Sequence, residues 1–83
     1  MSVQVLYFAR YREAIGQGEE VIELNDDIHT LSDLRQVLLD RGPAWQVLAD
    51  PRLCCSRNQT LCQLDEPITD HDEVAFFPMV TGG

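Results

Sequence analysis

The chain has no lysine. Its six basic residues are all arginine, and fourteen acidic residues stand against them, for a net charge of −8. A surface so short of positive charge repels phosphate backbones, which argues against a nucleic-acid partner. It favours encounter with a basic protein surface, or simply keeps a small protein in solution. Long apolar runs are missing too. The longest span only a few residues, against the ~20 that cross a bilayer, so no membrane partner is expected. Met1-Ser2-Val3-Gln4 carries no basic stretch followed by an apolar run. No signal peptide is therefore expected, and the chain reads as cytoplasmic.

Cysteine is scarce and oddly numbered. Cys54, Cys55 and Cys62 are three, two of them adjacent, which does not make a disulfide framework. There is no C-x-x-C pair, and His29 and His71 lie far off in sequence, so no metal site is expected. Free cysteines commonly behave as small buried hydrophobes, with an exposed reactive thiol as the alternative. Repeats and low-complexity segments are absent as well.

What is present is one domain's worth of chain. Eighty-three residues, 45% of them apolar, make an ordinary globular composition. A chain of this size buries only ~60–65% of its unfolded surface. Little room remains for a deep catalytic pocket, which tilts the expectation toward a carrier, a binding module or a subunit.

Alternation predicts a first strand over Val3 to Ala9, with Val3, Val5 and Tyr7 on one face and Gln4, Leu6 and Phe8 on the other. A helical turn over Arg10 to Ile15 ends at Gly16-Gln17-Gly18. Glu20 to Leu24 predicts a second strand antiparallel to the first. Thr30 reads as a helix N-cap with Asp33 at N3, and Leu31, Leu34, Val37 and Leu38 recur at helical spacing until Gly42-Pro43. Ala44 to Ala49 adds one more turn, with Trp45 and Leu48 inward. Leu53 to Ser56, Leu61 to Leu64 and Glu73 to Phe77 predict three more strands, with Asn58-Gln59-Thr60 a turn. Pro78 ends the last strand, because it offers no ladder donor.

This order predicts an α+β domain in which one main helix packs on one face of a mixed sheet, with first and last strands parallel neighbours. It is the order of the ubiquitin-like β-grasp fold. The expected division is a domain over 1–77 and an extended, flexible tail over 78–83. One helix covers one sheet face, so Phe8 and Phe77, joined by Leu61, are expected on the open face near the root of the tail. An apolar patch on a highly charged chain marks a binding surface.

The tail, Pro78-Met79-Val80-Thr81-Gly82-Gly83, reaches ~20 Å when extended. Its two glycines lack Cβ atoms and fit a narrow channel. A terminal carboxylate on Gly83 is ionised at neutral pH and resists nucleophiles until activated, most simply as an acyl-adenylate made from ATP. One reading of the missing lysine is codon usage in a GC-rich genome that favours arginine. A functional reading is that an activatable terminus gains from the absence of side-chain amines that could attack it.

The string Asp72-Glu73-Val74-Ala75-Phe76-Phe77-Pro78-Met79-Val80-Thr81-Gly82-Gly83 closely resembles the C-terminus of the MoaD-type sulfur carriers, the small subunits of molybdopterin synthase in the MoaD/ThiS-like family. Their usual ending is Phe-Pro-Pro-Val-Thr-Gly-Gly. Val5-Leu6-Tyr7-Phe8-Ala9, Arg12-Glu13, Leu34-Arg35 and Asn58-Gln59-Thr60 are similar to that family as well. The resemblance spans essentially the whole chain, loosely over Arg41 to Arg57. Met79 departs from the family's second proline.

The resemblance implies the following. An E1-like adenylyltransferase, using ATP and Mg²⁺, adenylates the Gly83 carboxylate, and a persulfide converts it to a thiocarboxylate. Pro78, Met79, Val80, Thr81 and Gly82 insert into the large synthase subunit. There the sulfur is transferred to cyclic pyranopterin monophosphate, in molybdenum cofactor biosynthesis. The assembly is a heterotetramer, Phe8, Leu61 and Phe77 match interface positions, and the active site lies on the large subunit. The carrier binds no cofactor itself. The rival expectations are a carrier for thiamine or thio-amino-acid synthesis, a modifier conjugated to lysines, a plain interaction domain, and a stand-alone thiol enzyme.

Overall fold

The structure is a computed structural model and describes residues 1–79. Five strands form one mixed sheet in the order β2-β1-β5-β3-β4. They are β1 (Ser2–Tyr7), β2 (Glu19–Glu23), β3 (Leu53–Arg57), β4 (Thr60–Cys62) and β5 (Glu73–Pro78). The predicted alternation holds on β1: Val3, Val5 and Tyr7 are buried, while Gln4 is exposed and Leu6 half-buried. β2 runs antiparallel to β1, with Val3 opposite Ile22. β5 lies parallel to β1, Val5 beside Val74 and Tyr7 beside Phe76. Its other side pairs antiparallel with β3. The last strand is therefore the centre of the sheet and joins its two halves. This is the ubiquitin-like β-grasp arrangement expected from the sequence.

One face of the sheet is covered by α1 (Ala9–Ile15), α2 (Leu31–Leu39) and a 3-10 helix (Pro43–Ala49). α2 begins at the predicted capping box. The Asp33 N–H donates to Thr30 Oγ1 at 3.2 Å, and Asp33 Oδ2 accepts from the Thr30 N–H at 3.1 Å. Leu31, Leu34 and Leu38 turn one stripe to the sheet and are fully buried, with Leu48 from the 3-10 helix beside them in the core. Truncating any one of them to alanine would cost about 2–5 kcal/mol through lost burial and a residual cavity. Trp45 packs on this core half-buried, edge-on to Tyr7 with ring centroids 5.8 Å apart, and so belongs to the packing as expected.

Most element ends differ from expectation by a residue or two, β4 ending at Cys62 rather than Leu64 among them, and four of the differences have a physical reason. β1 stops at Tyr7, and Phe8 is the extended N-cap of α1 (φ −125°, ψ 157°). Pro43 to Ala49 forms a 3-10 helix that opens on proline, where no N–H is needed. The turn after β3 has two residues instead of three: Asn58 and Gln59 both adopt positive φ (50° and 70°), as a tight hairpin requires, and Thr60 joins β4. β5 extends through Pro78, which is buried opposite Leu53. Its nitrogen faces the β1 side, as does the Phe76 carbonyl that accepts from the Phe8 N–H. β1 has already turned away into α1 there, so the missing donor leaves no ladder bond unmade.

Candidate functional site

The register fixes what the uncovered face carries. Leu6 lies beside Ala75 and opposite Glu19, and Gln4 lies opposite Val21. Across β5, Phe77 opposes Cys54 and Ala75 opposes Ser56, which in turn opposes Leu61. Leu6, Val21, Ala75, Phe77 and Leu61 therefore share one face, opposite to the helices. Leu61 and Val21 are 73% and 71% exposed, Phe8 is 44% exposed, and Phe77 is half-buried. Phe8 follows Leu6 in the alternation, and its N–H bonds to the Phe76 carbonyl at 3.2 Å, which sets it alongside Phe77. The three residues expected on the open face are thus brought to it. Val21 was not foreseen, although its signal was present: once Ile22 points inward, Val21 must point outward.

The root of the tail is held as part of the sheet. Met79 is exposed, and its N–H donates to the Arg52 carbonyl at 3.2 Å. Val80, Thr81, Gly82 and Gly83 lie outside the described residues.

A buried carboxylate positions the start of β5. Asp72 is only 5% exposed. It accepts from Arg57 Nε at 2.7 Å, from Asn58 Nδ2 at 3.0 Å and from the Thr69 N–H at 2.7 Å. Arg57 also reaches Glu66 at 3.2 Å. Asn58 completes the clasp: its N–H donates to the Glu73 carbonyl at 2.7 Å, and its Oδ1 accepts from the Glu73 N–H at 2.9 Å. Burial pushes the Asp72 carboxyl upward, but the Thr69 N–H, Arg57 and Asn58 outweigh it and hold it below the ordinary aspartate value. The Asn58-Gln59 turn and Asp72-Glu73, far apart in sequence, are one structural unit that sets where the central strand begins.

The three cysteines are free, Cys55 buried and Cys54 and Cys62 half-buried. Among the described residues no group of three or more His, Cys, Asp or Glu side chains could hold a metal ion. Also among these residues, no helix is long and apolar enough to cross a membrane.

The ThiS family profile matches residues 5–83, from within β1 through the central strand to the chain's last residues. The chain belongs to the ThiS family. Within it, the chain is 44% identical over 82 residues to the molybdopterin synthase sulfur carrier subunit of Escherichia coli (strain K12), covering 98% of this chain and 99% of that one. It is 42% identical over 82 residues to the protein of the same name from Haemophilus influenzae, again covering 98% and 99%. Among solved structures it resembles SAMP1 from Haloferax volcanii, with a TM-score of 0.81, 27% identity and full coverage of both chains. It also resembles a chain in the complex of subunits 1 and 2 of the molybdopterin-converting factor from Helicobacter pylori, with a TM-score of 0.68, 25% identity and full coverage of both. The sequence resemblance to sulfur carriers was therefore sound. In this ThiS-family chain, a half-apolar open face and the strand that leads into the terminal residues adjoin at Phe77.

Proposed function

We propose that this chain is the sulfur carrier subunit of a molybdopterin synthase, a donor that is not itself catalytic. The observation that carries the reading is the run Phe77-Pro78-Met79-Val80-Thr81-Gly82-Gly83 continuing directly from the central strand of a β-grasp sheet. The names borne by its full-length relatives, and the likeness to a chain complexed with a second subunit, support it.

In this reading an E1-like partner binds ATP and Mg²⁺, and the Gly83 carboxylate oxygen attacks the α-phosphorus to give an acyl-adenylate and pyrophosphate. A persulfide sulfur displaces AMP to give an acyl disulfide, and a thiol reductant attacks the donor's sulfur of that S–S bond, forming a new disulfide and releasing the thiocarboxylate. The large subunit receives Pro78 to Gly83, docking on Phe8, Leu61 and Phe77. The thiocarboxylate sulfur attacks cyclic pyranopterin monophosphate, and hydrolysis of the resulting acyl group returns the carboxylate for another round. A thiocarboxylate is a soft nucleophile, and the unhindered glycyl carbonyl suits both attack and release. The acid-base groups belong to the partners, and the cycle belongs to the cytoplasm.

The likeness to SAMP1, a small archaeal modifier protein, favours one second reading, conjugation to target lysines. Intact mass separates the two. Incubated with activating enzyme, ATP, Mg²⁺ and a sulfide source, the chain is expected to gain about 16 Da at its terminus, and a variant lacking Gly83 to gain nothing. A wild-type chain that stays at its starting mass with a competent activating enzyme overturns the carrier reading. High-mass isopeptide adducts in place of thiocarboxylate support the modifier.

A further inference from the structure

Sulfur transfer at Gly83 uses none of the cysteines, yet the fold brings two of them together. Cys55 on β3 and Cys62 on β4 are direct register partners, with Sγ atoms 3.9 Å apart. Opposed residues of an antiparallel pair have Cα atoms ~4.5–5.5 Å apart, inside the ~4.4–6.8 Å window that a disulfide spans. Bonding needs the sulfurs to close to about 2.05 Å, which side-chain rotation supplies without moving the strands apart. The two-residue turn at Asn58 and Gln59 pins the register, so the pair does not slip. Both side chains point to the helix-covered side, where Cys55 joins the core and Cys62 packs against it. Cys54 points the other way, across from Phe77.

We propose that Cys55 and Cys62 are a redox site, forming a reversible cross-strand disulfide by exchange with a low-molecular-weight disulfide of the glutathione type. Cys62, the more exposed of the two, reacts first. Its thiolate attacks one sulfur of the external disulfide and expels one small thiolate, leaving a mixed disulfide. Cys55, deprotonated in turn, attacks Cys62 Sγ and expels the second. Two protein S–H bonds are lost and one S–S bond forms. The external S–S bond breaks, and its two sulfurs carry away both electrons and both protons as two small thiols. Burial pushes the Cys55 thiol up to about 12 and raises Cys62 as well, so thiolate is scarce at neutral pH and the first step is slow. Capture of the mixed disulfide is fast by comparison, because the second thiol is already in place. The bridge staples the hairpin that carries Leu61 and leaves the chain end untouched.

The test uses the full chain, held anaerobically with glutathione disulfide and then unfolded in an alkylating agent. The oxidised product is expected to be about 2 Da lighter before alkylation and to take up one alkyl group, on Cys54, where the reduced chain takes three. Trypsin cuts after Arg57, so the fragments bearing Cys55 and Cys62 stay joined until reduced. Cys54→Ser keeps the bridge, whereas Cys55→Ser and Cys62→Ser each lose it. The oxidised form melts higher, by on the order of 10 °C, and dithiothreitol reverses the gain. A stable glutathione adduct without a bridge, no reaction at all, or a bridge that survives Cys55→Ser overturns the proposal.

Discussion

Replacing Asp72 with alanine removes three hydrogen bonds at once, to Arg57, Asn58 and the Thr69 N–H, and strands their donors. Cutting away one side of a buried, charge-assisted cluster costs about 3–5 kcal/mol where the remaining charge has nowhere to go. Here Arg57 keeps Glu66 at 3.2 Å, and its side chain is 28% exposed, so water and a second carboxylate take up part of the loss. The expected cost for Asp72→Ala is therefore ~2–4 kcal/mol, a fall in Tm of roughly 10–25 °C for a domain of this size. Circular dichroism melts at neutral pH measure it.

The pH dependence carries the sharper test. Asp72 has a folded-state pKa below its unfolded value, so its contribution is fully present above the unfolded pKa and is lost as pH falls through the folded one. The gap between wild type and variant should then be wide at neutral pH and close on strong acidification. Asp33, Asp50 and Asp70 are also held low, chiefly by the backbone N–H groups of His29, Arg52 and Ser2. They act equally in both proteins and drop out of the difference. A gap under about 0.5 kcal/mol at neutral pH, or one that does not narrow with acid, would refute the clasp as described.

Phe77→Asp should weaken binding of the large synthase subunit by roughly 30-fold or more, because a charge that keeps contact with water in the half-buried position of the isolated domain is fully buried and unpaired in the complex, while the isolated domain stays folded. Titration calorimetry beside a melting curve checks both halves, and unchanged affinity removes Phe77 from the interface. Thr30→Ala breaks the capping box and should cost about 1 kcal/mol, with Thr30→Ser close to wild type. Equal stability of all three proteins in urea titrations would count against the cap.

Features set by short-range chemistry were the ones legible in the sequence. Thr30 and Asp33 satisfy each other's backbone within three residues, so the cap could be read directly from the chain. The inward set Val3, Val5 and Tyr7 followed from strand alternation, and it placed Phe8, Leu61 and Phe77 on the other face. What the sequence hid depends on pairing between distant segments. Pro78 reads as a strand terminator until the β1 side of β5 is known to be vacant at that level. Arg57, Asn58 and Asp72 read as unconnected polar residues because fourteen positions separate Asn58 from Asp72. The Cys55–Cys62 opposition depends on the turn length. A three-residue turn shifts one strand by one position and separates the thiols, whereas the two-residue turn sets them face to face.

The central place of β5 has a mechanical consequence. On either side of it lies a two-stranded ribbon, and the described sheet has no other seam between them. Peeling this strand away would open the whole core, so local fraying near Phe76 and Phe77 costs nearly as much as global unfolding. A protein that grips the chain beyond Met79 cannot draw out extra slack. The strand holds its length up to Met79 until the domain as a whole gives way.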